Sequence, residues 1–378
     1  VTAAARSLFA FAAVVLVAAA IYGIARSRRD FVDFEVFRTA GVRALAAEPL
    51  YRAEDGHFQF KYWPAFALAA IPFGWIHPEA GKVIWYALSV ALVAVLLRQS
   101  IRALPERRTS VSALTWWALL LTGKFIVIEL VNGQTNAMLG ALVVLALVAI
   151  RLGRPVSAGL LVAAAVFIKP YALLLLPWLV VTQGVRAFSS ATAGLAAGLL
   201  LPVVQYGWQG NLDLLAGWYH TVVSTTSENL LVTENISFMT MWAKWIGAGP
   251  TAFWLALLTS VVALIGPAAL WWMRRRVREP EFLEVSALLL LVPLLSPQGW
   301  DYVLLLATPA TVCLVDRFGG SPVGWRILAA IGFLLTSFMI YDLVGRTLYF
   351  ALAAASGVTI GALVLLVCLM ALRHRAAA

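Results

Sequence analysis

A chain of 378 residues that is 62% hydrophobic and only 12% charged has more apolar surface than one water-soluble core can hide. Its mean hydropathy of +0.89 excludes an ordinary soluble enzyme. The formal net charge of +10 comes mostly from short basic clusters beside apolar runs, with no soluble domain between them. Anionic lipid headgroups, rather than nucleic acid, are therefore the expected partners.

The apolar runs are long and rich in leucine and alanine, which satisfies the backbone within helices. They lack the short alternating segments of a membrane barrel. The first, from Ser7 to Ala25, is long for a signal peptide and has no A-x-A site before Arg26, Arg28 and Arg29. It is expected to be a retained first helix entering from the cytoplasmic side. An extramembrane stretch follows at 26–61, in which Phe34, Phe37, Gly41 and Leu45 recur at helical spacing while Glu35, Arg38 and Arg43 fall elsewhere. That pattern predicts an amphipathic helix lying in the interface, apolar face towards lipid.

Further spans are expected near 62–77, 82–98, 113–131, 136–150, 156–168, 171–183, 188–206, 251–273, 283–296, 301–315, 325–343 and 348–371. The total expected is about 11 to 13 crossings of about 20 residues each. The run at 62–77 is short and carries Pro64 and Pro72, so it reads as a crossing, a half-crossing or a re-entrant segment. A second long extramembrane stretch, 207–235, contains Trp208, Trp218 and Tyr219, residues suited to the headgroup layer. No linker divides the chain, so 1–378 is read as one membrane domain.

Basic clusters at Arg98–Arg108, Arg151 and Arg154, Arg274–Arg278, and Arg373 and Arg375 mark cytoplasmic connections. The alternation then puts 207–235 and the connections carrying VNGQTN, FIKPY and SPQGWDY on the opposite, extracytoplasmic face. The front of the chain breaks the rule. With 26–61 outside and two full crossings after it, the Arg98–Arg108 cluster would also fall outside.

Polar groups at the ends of these runs are the candidates for chemistry, because lipid strips them of water. Asp33 and Asp30, next to Arg28 and Arg29, read either as a general base or as juxtamembrane acids paired with those arginines. Asn132, Gln134 and Asn136 surround Gly133, with Glu129 one turn earlier. Amides suit neutral polyols, although one of Asn132 or Thr135 would serve equally as a helix cap. Lys169 interrupts an apolar run before Pro170, either to meet a carrier phosphate or to snorkel. Trp300 and Asp301 suit a sugar face and its hydroxyls, or else an interfacial anchor, and Tyr51, Tyr62 and Trp63 give the first loop an aromatic lining. Cys313 and Cys368 lie in separate apolar runs, and the four histidines show no metal-binding spacing, so no metal is expected.

Taken in order, these elements resemble the C-type-fold glycosyltransferases, in particular glycosyltransferase family 87. The resemblance rests on DFEVF at Asp33, Y-x-P at Tyr62–Pro64, N-G-Q-x-N at Asn132–Asn136, K-P-Y at Lys169–Tyr171 and S-P-x-x-W-D at Ser296–Asp301. It implies a polyprenyl-phosphate sugar donor, with mannose the first candidate, and a glycolipid or glycan acceptor. It also implies an inverting displacement at the extracytoplasmic face of the plasma membrane, with Asp33 rather than Asp30 as general base. Tyr62, Asn132, Gln134, Asn136, Lys169, Trp300 and Asp301 would then bind substrates, and no metal or other cofactor is implied. One departure from the family pattern stands at Tyr302, where many relatives carry a histidine shortly after the tryptophan. The alternative from another class is a lipid or sugar transporter. The absence of a convincing internal repeat speaks against it.

Overall fold

The computed structural model describes residues 31–272, 274, 277 and 279–377. The expected first helix, Asp30 and most of the Arg274–Arg278 cluster lie outside them. Among the described residues the chain is helical throughout, and the one β feature is an isolated bridge between Asn235 and Trp300. Among the described residues, four helical stretches, Pro78–Arg102, Val111–Asn132, Pro170–Leu200 and Pro250–Ala269, are long and apolar enough to cross a bilayer, the third only when its break at Gly184 is passed over. A fifth span is possible if the bent pair Arg346–Ala354 and Gly357–Leu372 counts as one. Length alone therefore does not reproduce the expected 11 to 13 crossings. Asn136–Arg151, Pro155–Ile168 and Val323–Ser337 are apolar but shorter than a standard span. The chain is an all-α polytopic membrane protein.

Six helices position the site, in chain order: α1 (Val32–Leu45), α2 (Pro78–Arg102), α3 (Val111–Asn132), α4 (Asn136–Arg151), α5 (Pro155–Ile168) and α6 (Leu175–Leu200). Helix α1 is the expected amphipathic helix, but its apolar face meets protein rather than lipid. Phe34, Phe37, Ala40, Gly41 and Ala44 are buried, and Leu45 is the member of the predicted stripe that stays exposed. Phe34 and Phe37 pack edge-on or tilted against Phe66, Phe73 and Trp85, a cluster in which each buried ring contributes about 1.5–3 kcal/mol. At Gly41 an added Cβ would collide with the carbonyl oxygen of Ala70, so the close approach of the two backbones requires glycine.

The front-end topology is resolved by 62–77, which is not a crossing. It forms two short helices, Pro64–Ala69 and Ile71–Trp75, packed beside α1. Helix α2 starts at the same end, where the Trp85 indole donates to the Gly133 carbonyl, and reaches the opposite end at Arg102. There the Arg102 carbonyl accepts from Arg151. A single crossing thus carries the Arg98–Arg108 cluster to the end that holds the other basic groups. Arg151 pairs there with Glu279, Arg274 with Glu281 and Glu284, and the Arg108 and Thr109 amides donate to Asp316 Oδ1.

Helix α6 is interrupted at Gly184, whose φ of 73° and ψ of −170° are non-helical. Gly159 approaches Ala187 and Ser190, Ala163 approaches Gly194, and Phe167 approaches Gly198. Both series ascend, so the second half of α6 runs parallel to α5. The segment between Lys169 and Gly184 must therefore travel back, as the separate expected spans 171–183 and 188–206 require. A similar break at Gly207 (φ 70°, ψ 178°) starts the helix that occupies most of 207–235. That helix closes over the first loop: Trp218 stacks on Trp63 with ring centroids 3.8 Å apart and donates to the Lys61 carbonyl.

Candidate active site

Helix α3 ends at Gly133, which takes the left-handed conformation (φ 70°) and turns the chain into α4. This turn aims the NGQTN side chains at α1. The Phe31 amide donates to the Val131 carbonyl, and an added Cβ at Gly133 would lie 3.0 Å from both Phe31 and Phe34. Asp33, one residue before Phe34, is thereby fixed beside the turn. Its Oδ2 accepts from Gln134 Nε2 at 2.6 Å.

From Gln134 the network continues inward. Lys169, released from the end of α5 ahead of Pro170, donates to Gln134 Oε1 at 3.3 Å and to Asn136 Oδ1 at 2.8 Å. Asn136 Nδ2 donates to Glu129 Oε2 at 2.8 Å, and Glu129 Oε1 accepts the Ala137 amide at 2.6 Å. Asn136 and Glu129 are both 0% exposed and Lys169 is 8% exposed. Lys169 also lies 6.0 Å from the centre of the Tyr62 ring, and the Tyr62 hydroxyl meets Thr135 Oγ1 at 3.2 Å. Burial pushes the Asp33 carboxyl above its ordinary range, partly offset by Lys169, the Gln134 hydrogen bond, Lys61 and His57.

Five of the eight residues singled out from the sequence therefore meet: Asp33, Tyr62, Gln134, Asn136 and Lys169. The amides expected to suit polyols are bonded to other side chains of the protein. Asn136 has both ends of its amide engaged within the protein, and Gln134 spans Lys169 and Asp33. Thr135 sits at the cap position of α4 without a side-chain cap bond, and Glu129 caps that helix instead.

The other three residues line an adjoining cleft of about 560 Å³, together with Lys124, Glu234, Tyr302, Met339, Tyr341 and Tyr349. Asn132 lines it from the end of α3, and Trp300 and Asp301 from the SPQGWDY loop. That loop is pinned by the Asp301 amide donating to the Glu234 carbonyl and by Asn235 donating to the Pro297 carbonyl. Asp301 faces Lys124 at 2.5 Å, and Lys124 also donates to the Met339 carbonyl. Tyr302 belongs to both halves: it lines the cleft, its ring lies parallel to Trp300 with centroids 6.2 Å apart, and its hydroxyl accepts from Gln134 at 3.3 Å.

Three contributors were not among the expected site residues: Lys124, Glu129 and Tyr302. An isolated ionisable residue within an apolar run, as at Lys124 and Glu129, was the available signal. Among the described residues no group of three His, Cys, Asp or Glu side chains is arranged to hold a metal ion.

Among the described residues, a carboxylate, a lysine and two amides are thus gathered at one end of an all-helical membrane bundle. The model of glycosyltransferase family 87 matches residues 60–297, and the chain belongs to that family. It is accordingly a membrane glycosyltransferase. No curated protein matches it significantly.

Proposed function

We propose that this glycosyltransferase moves a sugar, with mannose the first candidate, from a polyprenyl-phosphate donor to a hydroxyl of a glycolipid or glycan acceptor, with Asp33 as general base. The observation that carries this reading is the 2.6 Å contact between Gln134 Nε2 and Asp33, with the far end of the same amide bonded to Lys169. The carboxylate is held in a defined orientation near a buried cation, and burial makes it a stronger base than a solvated aspartate.

In the proposed step, the acceptor hydroxyl gives its proton to Asp33 while its oxygen bonds to the anomeric carbon. The bond from that carbon to the phosphate oxygen breaks on the opposite face, and its electron pair leaves with the polyprenyl phosphate. One displacement inverts the configuration and uses one essential carboxylate, unlike the paired carboxylates of glycoside hydrolases. The departing phosphate needs positive charge rather than an acid. Lys169 and Lys61, the two lysines that interact electrostatically with Asp33, are the groups available for that role without a metal. The cleft lined by Asn132, Trp300, Asp301 and Tyr302 has room for a sugar ring, with the two aromatic residues on one wall. The chemistry is proposed to take place on the extracytoplasmic side of the plasma membrane, opposite the basic clusters.

The test uses purified protein in lipid nanodiscs with labelled polyprenyl-phosphate-mannose and candidate acceptors. Asp33→Asn should remain folded and lose transfer by about 10²–10⁴-fold, the range for a positioned acid or base. Undiminished transfer by that variant would remove the assignment. Movement of labelled lipid across a vesicle bilayer without transfer would favour the transporter alternative. The position of the polar groups at one end of the bundle, not at its midplane, argues against that alternative.

A further inference from the structure

The mechanism above makes no use of Glu129, although it is wholly buried and its second oxygen is committed to more than a helix cap. A cap needs one acceptor for the Ala137 amide, which Oε1 supplies. Oε2 instead starts a run of hydrogen bonds that ends at Asp33: Glu129 to Asn136, Asn136 to Lys169, Lys169 to Gln134, Gln134 to Asp33.

The direction of every bond in this run is dictated by charge. A carboxylate only accepts and an ammonium only donates, whereas each amide must offer oxygen at one end and nitrogen at the other. Glu129 therefore turns the Asn136 nitrogen inward and its oxygen towards Lys169. Lys169 in turn holds the Gln134 oxygen, which leaves the Gln134 nitrogen for Asp33. A glutamine at position 129 has one oxygen for two buried donors, the Ala137 amide and Asn136. One of them would face an N–H, and relief requires Asn136 to rotate, which sets its nitrogen against the Lys169 ammonium.

Resting on the reading of Asp33 as the base, we infer that Glu129 is a positioning residue that sets the orientation of the Gln134 amide, and hence of Asp33, through Asn136 and Lys169. It does not touch substrate. Its substitution should lower turnover more than substrate affinity, because the geometry of the base is what changes.

A double-variant cycle tests this on the full-length protein in nanodiscs. Glu129→Gln and Gln134→Ala should each lower kcat by about 10- to 100-fold with KM for polyprenyl-phosphate-mannose within about threefold. The double variant should be no worse than the poorer single variant by more than about threefold. Glu129→Asp should recover part of the loss. A second readout needs no turnover: labelling of Asp33 by a hydrophobic carbodiimide, followed by mass spectrometry across pH. Asp33 is bonded to Gln134 and lies within electrostatic reach of Lys169, Lys61, His57, Tyr62 and Tyr302, and Glu129 is bonded to Asn136 and the Ala137 amide and lies within electrostatic reach of Lys169, Asp33 and Tyr62. Loss of the Gln134 bond raises the pH of half-labelling, whereas loss of the Glu129 charge alone lowers it, so a rise in Glu129→Gln, in the direction seen for Gln134→Ala, reports the broken chain of bonds. Multiplying losses in kcat, or a fall in the pH of half-labelling in Glu129→Gln, would overturn the inference and leave Glu129 as a cap. Wild-type protein that transfers nothing from the mannose donor would overturn only the donor assignment, since the labelling cycle still decides the role of Glu129.

Discussion

Gly133→Ala tests whether the turn between α3 and α4 sets the site. Gly133 adopts φ 70°, a conformation that costs a residue with a Cβ about 1–2 kcal/mol. The added Cβ would also lie 3.0 Å from Phe31 Cδ1 and from Phe34 Cβ, and 3.4 Å from the Phe34 amide nitrogen. Both phenylalanines are buried, so relief requires α1 to shift rather than one ring to rotate, at about 1–3 kcal/mol. The combined cost is roughly 2–5 kcal/mol. The movement displaces Asp33 from Gln134 and the Trp85 indole from the Gly133 carbonyl. The measurements are the midpoint of thermal unfolding in detergent and kcat in nanodiscs. Gly133→Asn serves as the control, since asparagine tolerates positive φ but brings the same Cβ. Both variants should lose activity by at least about tenfold, and Ala should unfold at the lower temperature. Wild-type stability and turnover in Gly133→Ala would refute the argument that this turn places the base.

Lys169→Met removes the cation between Glu129 and Asp33 and should cost about 3–5 kcal/mol, visible as loss of monodisperse protein; adding Glu129→Gln should restore part of the yield. As the proposed base, Asp33 must be ionised to act, and burial raises its pKa. Transfer should therefore rise with pH through a midpoint above the ordinary aspartate value of about 3.9, and Asp33→Glu should move that midpoint. Asp55 is held below its ordinary range chiefly by hydrogen bonds from Arg43, at 2.5 and 2.8 Å. A lowered carboxylate pKa stabilises the fold above the unfolded value and loses that contribution as pH falls through the folded one. Asp55→Asn should thus cost about 1 kcal/mol at neutral pH, with the difference from wild type starting to fade near pH 4 and gone only once the pH is below the lowered Asp55 value in unfolding scans.

What the sequence made readable was whatever has a local cause. Asp33, Gln134 and Lys169 stand out because each is a polar group at the end of an apolar run, and hydrocarbon penalises such groups wherever the chain places them. The stripe of Phe34 and Phe37 predicted a helix, but not what the stripe would meet. Lipid and a neighbouring aromatic cluster select the same residues, so the protein contact with Phe66 and Trp85 was invisible. The same limit applies to Glu129 and Lys124. Each interrupts an apolar run, yet the Glu129 bond crosses the Gly133 turn, and the Lys124 bond reaches a loop far along the chain. Pairings of this kind follow from tertiary packing alone. Amides suit polyols by composition, but the bonds that occupy them come from Asp33, Lys169 and Glu129 in three separate segments. At 62–77 the two prolines did carry the information that no full crossing forms there.

The fit of Gly41 under the Ala70 carbonyl, with the phenylalanine wall beside it, locks α1 against sliding or rolling. A one-residue slip would drive a methyl into that oxygen and turn Asp33 away from its amide partner. The carboxylate proposed as the base is therefore a stationary anvil. Adaptation to acceptors of different shape must come from the walls that deliver them, above all the tryptophan-clasped loops over the entrance, and not from any travel of the base.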